Sequence, residues 1–576
     1  MGEVKGEEAA RALAASLYTA RTLKLETFEH YYNGTQYEGR EDFFSPKNPV
    51  PLLERAPCIV YPVVEAAVRQ HADFAFGEGR FPTFTTGIGE DDEDDLFGLS
   101  EDDSETLDRF IAKMCEHSRF VETCHYALMA GESIGSACVI YSFDGFGSLK
   151  AEHIEACHAE PTFDPDGSLV RLEIKYPIIE LFDAEDGTVR ARCMFYRRIV
   201  DANADTVFKL AEVTHKGVEP RSSVDQDRST THGLGFVPAV WYAFKRPWHK
   251  AGQFDGKPIH CSQLDEIDAL NFSLSQRHRA ALYTGDPQVV EVGVAEGESV
   301  APSGAAPRAT LKELRDSSGR VVYGFGYSER PRSARQKGAG VVWRYENPEA
   351  KVDILSLPGD ALKAISDHAT DLQNKIEAVL GYTGTSPEHV RGTLSGKALA
   401  MLFGRTTAFV DQVRNDLWSG FILPSLSLML RMVYEVNARA PGSVYISGVS
   451  KAAPILERFN REIDGAGKRW FAPSIKPIWG RYFEAGPEEE TAQVNTAATA
   501  FEKGLIPRAI AIEKLRGVFV FQSAQELAEE LDKADEEKQQ QALEMAQQST
   551  NDSTDNGDSG KPGKPSKPKP GSAAGV

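Results

Sequence analysis

From 59 to 75 the apolar residues fall at 60, 63, 64, 67, 68, 74 and 75, one stripe of a helix whose single gap is filled by His71. Pro62 suits the first turn of that helix, and the chain up to about Gly79 is expected to be mostly helical. Leu107, Phe110, Ile111, Met114, Val121 and Tyr126 then share a second helical face. Ser100 and Asp103 ahead of them have capping-box spacing, so one helix to about Met129 is expected. From 135 to 242 the period drops to two. Val170, Leu172, Ile174 and Tyr176 alternate with Arg171, Glu173 and Lys175, and Asp144-Gly145, Asp166-Gly167 and Asp186-Gly187 separate strand-like stretches. This predicts an antiparallel β unit of about 110 residues.

A helix is expected over 260–283, ended by Gly285-Asp286-Pro287, followed by about 70 strand-like, Gly/Pro-rich residues. Apolar residues at 362, 365, 369, 372, 376 and 379 give the sharpest helical period in the chain. After a short, mostly polar loop, a long helix should run from 395 to about 437 with a kink at Pro424, because proline removes a ladder bond and clashes with the preceding turn. Strands are expected at 444–449 and 475–483, the second an edge strand because it holds Pro477. Helices follow at 487–503, 507–516 and 523–548, the first two with Pro at the start and Gly504 or Gly517 just beyond the end. Beyond 548 the chain is dominated by Ser, Thr, Asn, Asp, Gly, Lys and Pro, too polar to offset the cost of ordering, and disorder is expected.

Length and charge sharpen this picture. At 576 residues two or more packing units are expected. No stretch offers the ~18 uninterrupted apolar residues of a membrane span; the longest candidate, 421–433, contains Pro424 and Arg431. The N-terminus lacks an apolar signal core, so a cytoplasmic protein, or a part of something assembled there, is expected. The net charge of -21 argues against a conventional nucleic-acid binder with a basic face. The charge is uneven: 90–105 holds ten acids and no base, whereas 308–351 holds ten bases and five acids. The acidic run 90–95 should be an exposed loop, since adjacent like charges repel.

The chemical motifs are weak. Gly392 to Ala398 imitates a phosphate loop but is one residue short between glycines, has Ala398 after Lys397, and follows no strand. Gly131-Glu132-Ser133-Ile134-Gly135 matches the spacing of a serine-hydrolase elbow, yet a helix leads in and a strand leads out, the reverse of what that elbow requires. Phe163 to Gly167 resembles a cation loop but lacks the further acids and closing Glu, so a plain turn is expected. The seven cysteines have irregular spacing and no CxxC, which favours reduced, mostly buried thiols. The densest metal-type group, Cys138, His153, Cys157 and His158, lies in a strand-like region where ordinary packing is expected. No catalytic residue, metal site or cofactor is expected.

One segment carries more weight. Ser395-Gly396-Lys397-Ala398-Leu399 opens the long helix after a Gly/Thr/Ser loop. With it come, in order, Tyr31-Tyr32-Asn33-Gly34, Phe76-Gly77-Glu78, a β-rich block, Gly235-Phe236-Val237-Pro238-Ala239-Val240, the helix start 263–271, Gly285-Asp286-Pro287, Glu488-Glu489-Glu490 and Gly504-Leu505-Ile506-Pro507. Together these span roughly 30–535, and their order resembles the portal proteins of tailed bacteriophages. The resemblance implies an α+β subunit of a twelve-fold ring. Residues 1–260 would be the wing, 261–285 a stem helix, 286–357 a β-rich clip and 358–380 the second stem helix. Residues 381–396 would be the channel-lining tunnel loop, 397–485 the long kinked helix and wing return, 486–548 a helical crown and 549–576 a disordered tail. Independently of the family, two helices flanking a compact β insertion should form a hairpin with the insertion at its tip.

The resemblance also implies a passive conduit at one capsid vertex of the virion, assembled in the host cytoplasm. Double-stranded DNA would pass through it during packaging and ejection. Large terminase, major capsid and scaffold proteins and a head-completion adaptor would be its partners, and no membrane would be involved. Thr383, Thr385, Ser386, Glu388, His389, Arg391 and Thr393 would be the tunnel loop facing DNA. Arg330, Arg332, Arg335 and Lys337 of the clip would meet DNA or acidic partners. Two other classes remain: a metal-dependent DNA-processing enzyme with an unrecognised site, and a non-viral ring scaffold.

Overall fold

The computed structural model describes residues 7–40, 51, 54–77, 79–86, 99–183, 188–214, 217–218, 223–246, 254–285, 288–292, 309–315, 321–327, 351–355, 359–384, 401–463, 467–482, 487–515, 527–528 and 531–534. The acidic run 90–95, the Asp186-Gly187 turn and the tail after 548 lie outside these residues. The fold is mixed helix and sheet, α+β, as expected. The chain divides into two units, one comprising 1–77, 83–384 and 408–477, the other 78–82, 385–407 and 478–576.

The larger unit opens with three helices, α1 (Glu7–Ser16), α2 (Ala20–Asn33) and α3 (Val63–Phe76). The stripe read in the sequence is the buried face of α3, with Val63, Val64, Ala67, Val68 and Ala75 at 1% exposure or less. Pro62 is the N-cap residue and not part of the first turn. After a short strand, β1 (Thr83–Thr85), Ser100 caps α4 (Glu101–His117) with both arms of the capping box formed. The single helix expected to Met129 is two: α4 ends at His117, and Arg119 in the left-handed region (φ 51) starts α5 (Phe120–Ile134). That break resets the helical phase, which is why Val121 is 44% exposed and not on the buried face with Phe110 and Met114.

Gly135, at φ 100, ends α5 and turns the chain directly into β2 (Ser136–Phe143). A Cβ there would meet the Gly256 carbonyl oxygen at 2.8 Å, so the position needs glycine twice over. The Gly-x-Ser-x-Gly segment is thus a helix-to-strand turn, as expected, and Ser133 donates to its own helix at the Met129 carbonyl. Strand β2 pairs with β3 (Leu149–Ile154) and, antiparallel, with a returning strand at Ala239–Ala243. A second antiparallel sheet holds β4 (Ala159–Phe163), β5 (Leu169–Asp183) and β6 (Val189–Val200), extended by the short strands Ala204–Val207, Ala211–Thr214, Gly217–Val218 and Thr230–Thr231. Leu172 and Ile174 of β5 face the core with Cys138, Ile140, Val200 and Val237. Phe163 to Gly167 is a plain hairpin turn, Asp166 accepting from the Ser168 backbone and hydroxyl.

α6 (Leu264–Gly285) and α7 (Gly359–Leu380) pack against each other. Strands Gln288–Val292 and Lys351–Leu355, which follow the one helix and precede the other, pair antiparallel, and Ala309–Arg315 pairs with Val321–Tyr327. The helical hairpin carrying a β insertion is therefore present. Within α7, Ala369, Ile376 and Leu380 are buried, whereas Val379 is 54% exposed and Leu380 takes its place in the stripe.

The expected single helix is broken by a turn at Phe403, and the long helix starts at Gly404; 395–400 lie outside the described residues. It runs as Gly404–Leu417, a π turn at Trp418–Ile422, and Leu423–Arg439. The expected disturbance at Pro424 takes the form of this wider turn: the Leu423 N–H reaches back five residues to the Trp418 carbonyl. The span Gly404–Arg439 is long and apolar enough to cross a membrane, but half of its most apolar window is buried inside the protein, as in a core helix. The strand expected at 444–449 is a loop leading into a helix, Val449–Glu457; Gly448 at φ 94 breaks the extended run. A hairpin Asn460–Ile463/Gly467–Trp470 follows, and the strand expected at 475–483 is confined to Lys476–Ile478.

In the smaller unit, helices Pro487–Glu502 and Arg508–Lys514 match the expected first two of three, with Gly504 at φ 68 between them. Arg508 pairs with Asp532 at 2.6 Å.

Candidate functional site: the root of the loop after α7

The residue after α7 is Gly381 at φ 71, where a Cβ would lie 2.7 Å from the Phe409 ring. Its carbonyl faces His71 Nε2 at 3.4 Å. Two residues on, Thr383 is held by both backbone groups: Gln70 Nε2 donates to its carbonyl (3.1 Å), and its N–H donates to Gln70 Oε1 (3.1 Å). Neighbouring residues of α3, one buried and one half-buried, thus fasten the start of the loop. Glu377, one turn before the end of α7, takes the Tyr382 N–H on its carbonyl (3.0 Å), while its carboxylate accepts from Tyr61 (3.2 Å) and Gln373 (2.7 Å).

Behind this root lies a buried polar pair. His71 Nδ1 and Glu132 Oε2 are 2.9 Å apart, both side chains are 0% exposed, and Glu132 Oε1 has no hydrogen-bond partner among the described residues. His71 stacks on Phe409 at 4.6 Å, and the Lys245 ammonium sits 4.4 Å from the same ring on the long helix. Burial pulls the Lys245 pKa down, with Glu132 and Asp416 opposing it. Asp416 accepts from the Tyr242 hydroxyl at 2.8 Å, and burial with that carboxylate pushes the phenol well up. Tyr242 itself is clasped between Gly131 of α5 and Gly420 of the π turn, where a Cβ would come within 2.6 and 2.9 Å of its ring. Arg414, 5% exposed, donates to the carbonyls of Phe74 and Ala75 at the end of α3.

A carboxylate–imidazole pair is a familiar proton-transfer unit. Here Phe409 and Gly381 close over it, and with both members fully buried it presents no face to a substrate. What the arrangement does is position: α3, α5 and α7 meet the long helix, and residues 381–383 leave that junction in one fixed direction.

Of the loop residues expected from the sequence, Thr383 belongs to this root. Thr385, Ser386, Glu388, His389, Arg391 and Thr393 lie outside the described residues, as do Arg330, Arg332, Arg335 and Lys337. Gln70 and Phe409 were not singled out by the sequence, Glu132 was read only within the Gly-x-Ser-x-Gly spacing, and Gly381 only as the start of the loop. The available signal was His71, a polar residue set in an otherwise apolar stripe, which implied a buried partner without identifying it.

Two other motif segments meet in space. Asp268 of α6 accepts from Tyr31 (2.8 Å) and Tyr37 (2.6 Å), and Asn271 takes the Tyr61 N–H (2.8 Å) while donating to Tyr37 (3.1 Å). Burial and the Asp268 charge push both phenols up.

All seven cysteines are free thiols, five of them buried. The group Cys138, His153, Cys157 and His158 is not one cluster. Cys138 lies in the β core, and His153 stacks flat on Tyr126 at 4.3 Å. Cys157 and His158 instead join Glu155 in the turn between β3 and β4, the one group of potential metal ligands among the described residues. Searched against protein-family models and against curated proteins, the chain matches none.

Proposed function

We propose that this chain is the subunit of a portal ring, twelve-fold in the virion, through which double-stranded DNA is packaged and later ejected. The observation that carries the proposal is the sequence-ordered arrangement around the loop root. A helical hairpin (α6, α7) bears a β insertion, its second helix ends in a firmly anchored loop start, and Phe409 of the long helix packs against that start. The Tyr31 and 263–271 segments, which carry part of the family resemblance, also meet through Asp268.

On this proposal residues 381–396 line the channel, and the described root anchors the start of that loop. Duplex DNA carries one charge per ~1.7 Å of axis, so a basic wall would bind and stall it. A chain of net charge -21 supplies repulsion that centres the duplex over the ~8 Å at which charges act in physiological salt. Arg330, Arg332, Arg335 and Lys337 would meet the terminase motor, adaptor or entering DNA at the clip. Energy comes from the terminase, and this subunit has no catalytic role.

Electron microscopy of the purified full-length protein, with its mass by light scattering, tests this. Rings with a central hole and a mass about twelve times the 63.2 kDa subunit are expected.

A further inference from the structure

The turn between β3 and β4 gathers three different donors. Glu155 Oε2 lies 3.2 Å from His158 Nε2 and 3.9 Å from Cys157 Sγ, and one atom from each side chain falls within 4.8 Å of the other two. A tetrahedral zinc ion with bonds of ~2.0–2.3 Å sets its donors roughly 3.3–3.6 Å apart, close to the two distances from Glu155 Oε2, and the Cys157 and His158 donors, within 4.8 Å of each other, would draw together on binding. The turn itself is fixed: the His158 N–H donates to the Glu155 carbonyl (3.1 Å), and the His158 carbonyl accepts from Lys175 of β5 (2.9 Å).

A second, independent feature is the charge around it. Cys157, 5% exposed, packs in a cluster with Leu25 and Phe28 of α2 and Ile134 of α5. Glu26 and Glu29 of α2 act electrostatically on its thiol together with Glu155. Among the described residues the ion-pair partner of Glu155 is His158 alone, and Lys175, the neighbouring cation, is taken by Glu160 at 2.5 Å. A sulfur, nitrogen and oxygen donor set suits zinc better than calcium or magnesium, which take oxygen.

We propose that Glu155, Cys157 and His158 form a three-ligand zinc site that pins the β3–β4 turn over α2. The exposed Glu155 side leaves the fourth position to water. The site is separate from the loop root and does not depend on the portal assignment.

The test uses the full-length protein, stripped with chelator and titrated with cobalt(II), whose spectrum reports thiolate ligation. Wild type and the exposed-thiol control Cys58→Ser should give a sulfur-to-cobalt charge-transfer band that saturates at one metal per chain and is displaced by zinc. Zinc should also raise the melting temperature of both, because a ligand that binds only the folded state stabilises it. Cys157→Ser should lose the band with its far-ultraviolet circular dichroism unchanged. Glu155→Gln, at an exposed position where folding is not at stake, should weaken binding by at least the ~10-fold that loss of even an outer-shell partner costs. No charge-transfer band in wild type, the same band in Cys157→Ser, or full affinity in Glu155→Gln would overturn the proposal.

Discussion

Replacing His71 by Phe isolates what the buried pair at the loop root contributes. The ring and its stack on Phe409 at 4.6 Å are kept, while the 2.9 Å contact to Glu132 is removed. Glu132, at 0% exposure and with Oε1 already unpartnered, would then hold two buried oxygens with nothing to bind. Leaving one buried polar group unsatisfied costs about 1–3 kcal/mol, rising to about 3–5 kcal/mol for a pair that carries charge. Glu132→Leu strands His71 Nδ1 in the same way. The double variant His71→Phe/Glu132→Leu strands neither group and replaces the pair with apolar surface of similar volume, so it should fall within ~1 kcal/mol of wild type. Urea unfolding of the four proteins closes a double-mutant cycle, with an expected coupling of about 2 kcal/mol or more. Amide hydrogen exchange at 381–383 should quicken in both single variants and recover less in the double, because the His71–Gly381 contact is not restored. A His71→Phe protein within ~0.5 kcal/mol of wild type, or single effects that simply add, would refute the account of the pair as a mutually dependent buried anchor.

Other consequences are as direct. Gln70→Ala removes both bonds to Thr383 and should cost about 1–2 kcal/mol, with faster exchange of the Thr383 amide. Gly420→Ala drives a methyl into Tyr242 at 2.9 Å in a closely packed core and should cost about 1–3 kcal/mol by thermal or urea unfolding. Ser100→Ala breaks the capping box of α4 and should cost about 1 kcal/mol. His260, fully buried between Phe28 and Tyr31, has its pKa pushed down to about 4 by burial from the usual 6.5. The unfolded chain therefore takes up a proton that the folded chain refuses, so stability present above pH 6.5 falls by up to about 3 kcal/mol as pH drops toward 4. His260→Phe should flatten that part of a stability-versus-pH curve measured by urea unfolding.

Local signals were the legible ones. The stripe of α3, the Ser100 cap, the Gly504 boundary and the α6/α7 hairpin all follow from spacing over one or two helical turns, and each is present. The misses needed information from farther away or from a rare backbone state. Nothing in Ser118-Arg119 announces a non-glycine residue at φ 51, so α4 and α5 read as one helix and Val121 was placed on the wrong face. The alternation in 444–449 suggested a strand, but no neighbouring strand pairs with it, and Gly448 turns the chain into a helix. At the loop root, His71 meets Glu132 across 61 residues and Gln70 meets Thr383 across 313, separations that no periodicity encodes.

The central claim is the ring, and electron microscopy of the purified full-length protein, paired with its mass in solution, tests it most directly. The portal assignment predicts annular particles with a central hole and about twelve subunits. Monomers or dimers that stay apart even when the capsid and scaffold proteins are present would contradict it and return the loop root to the status of a structural junction.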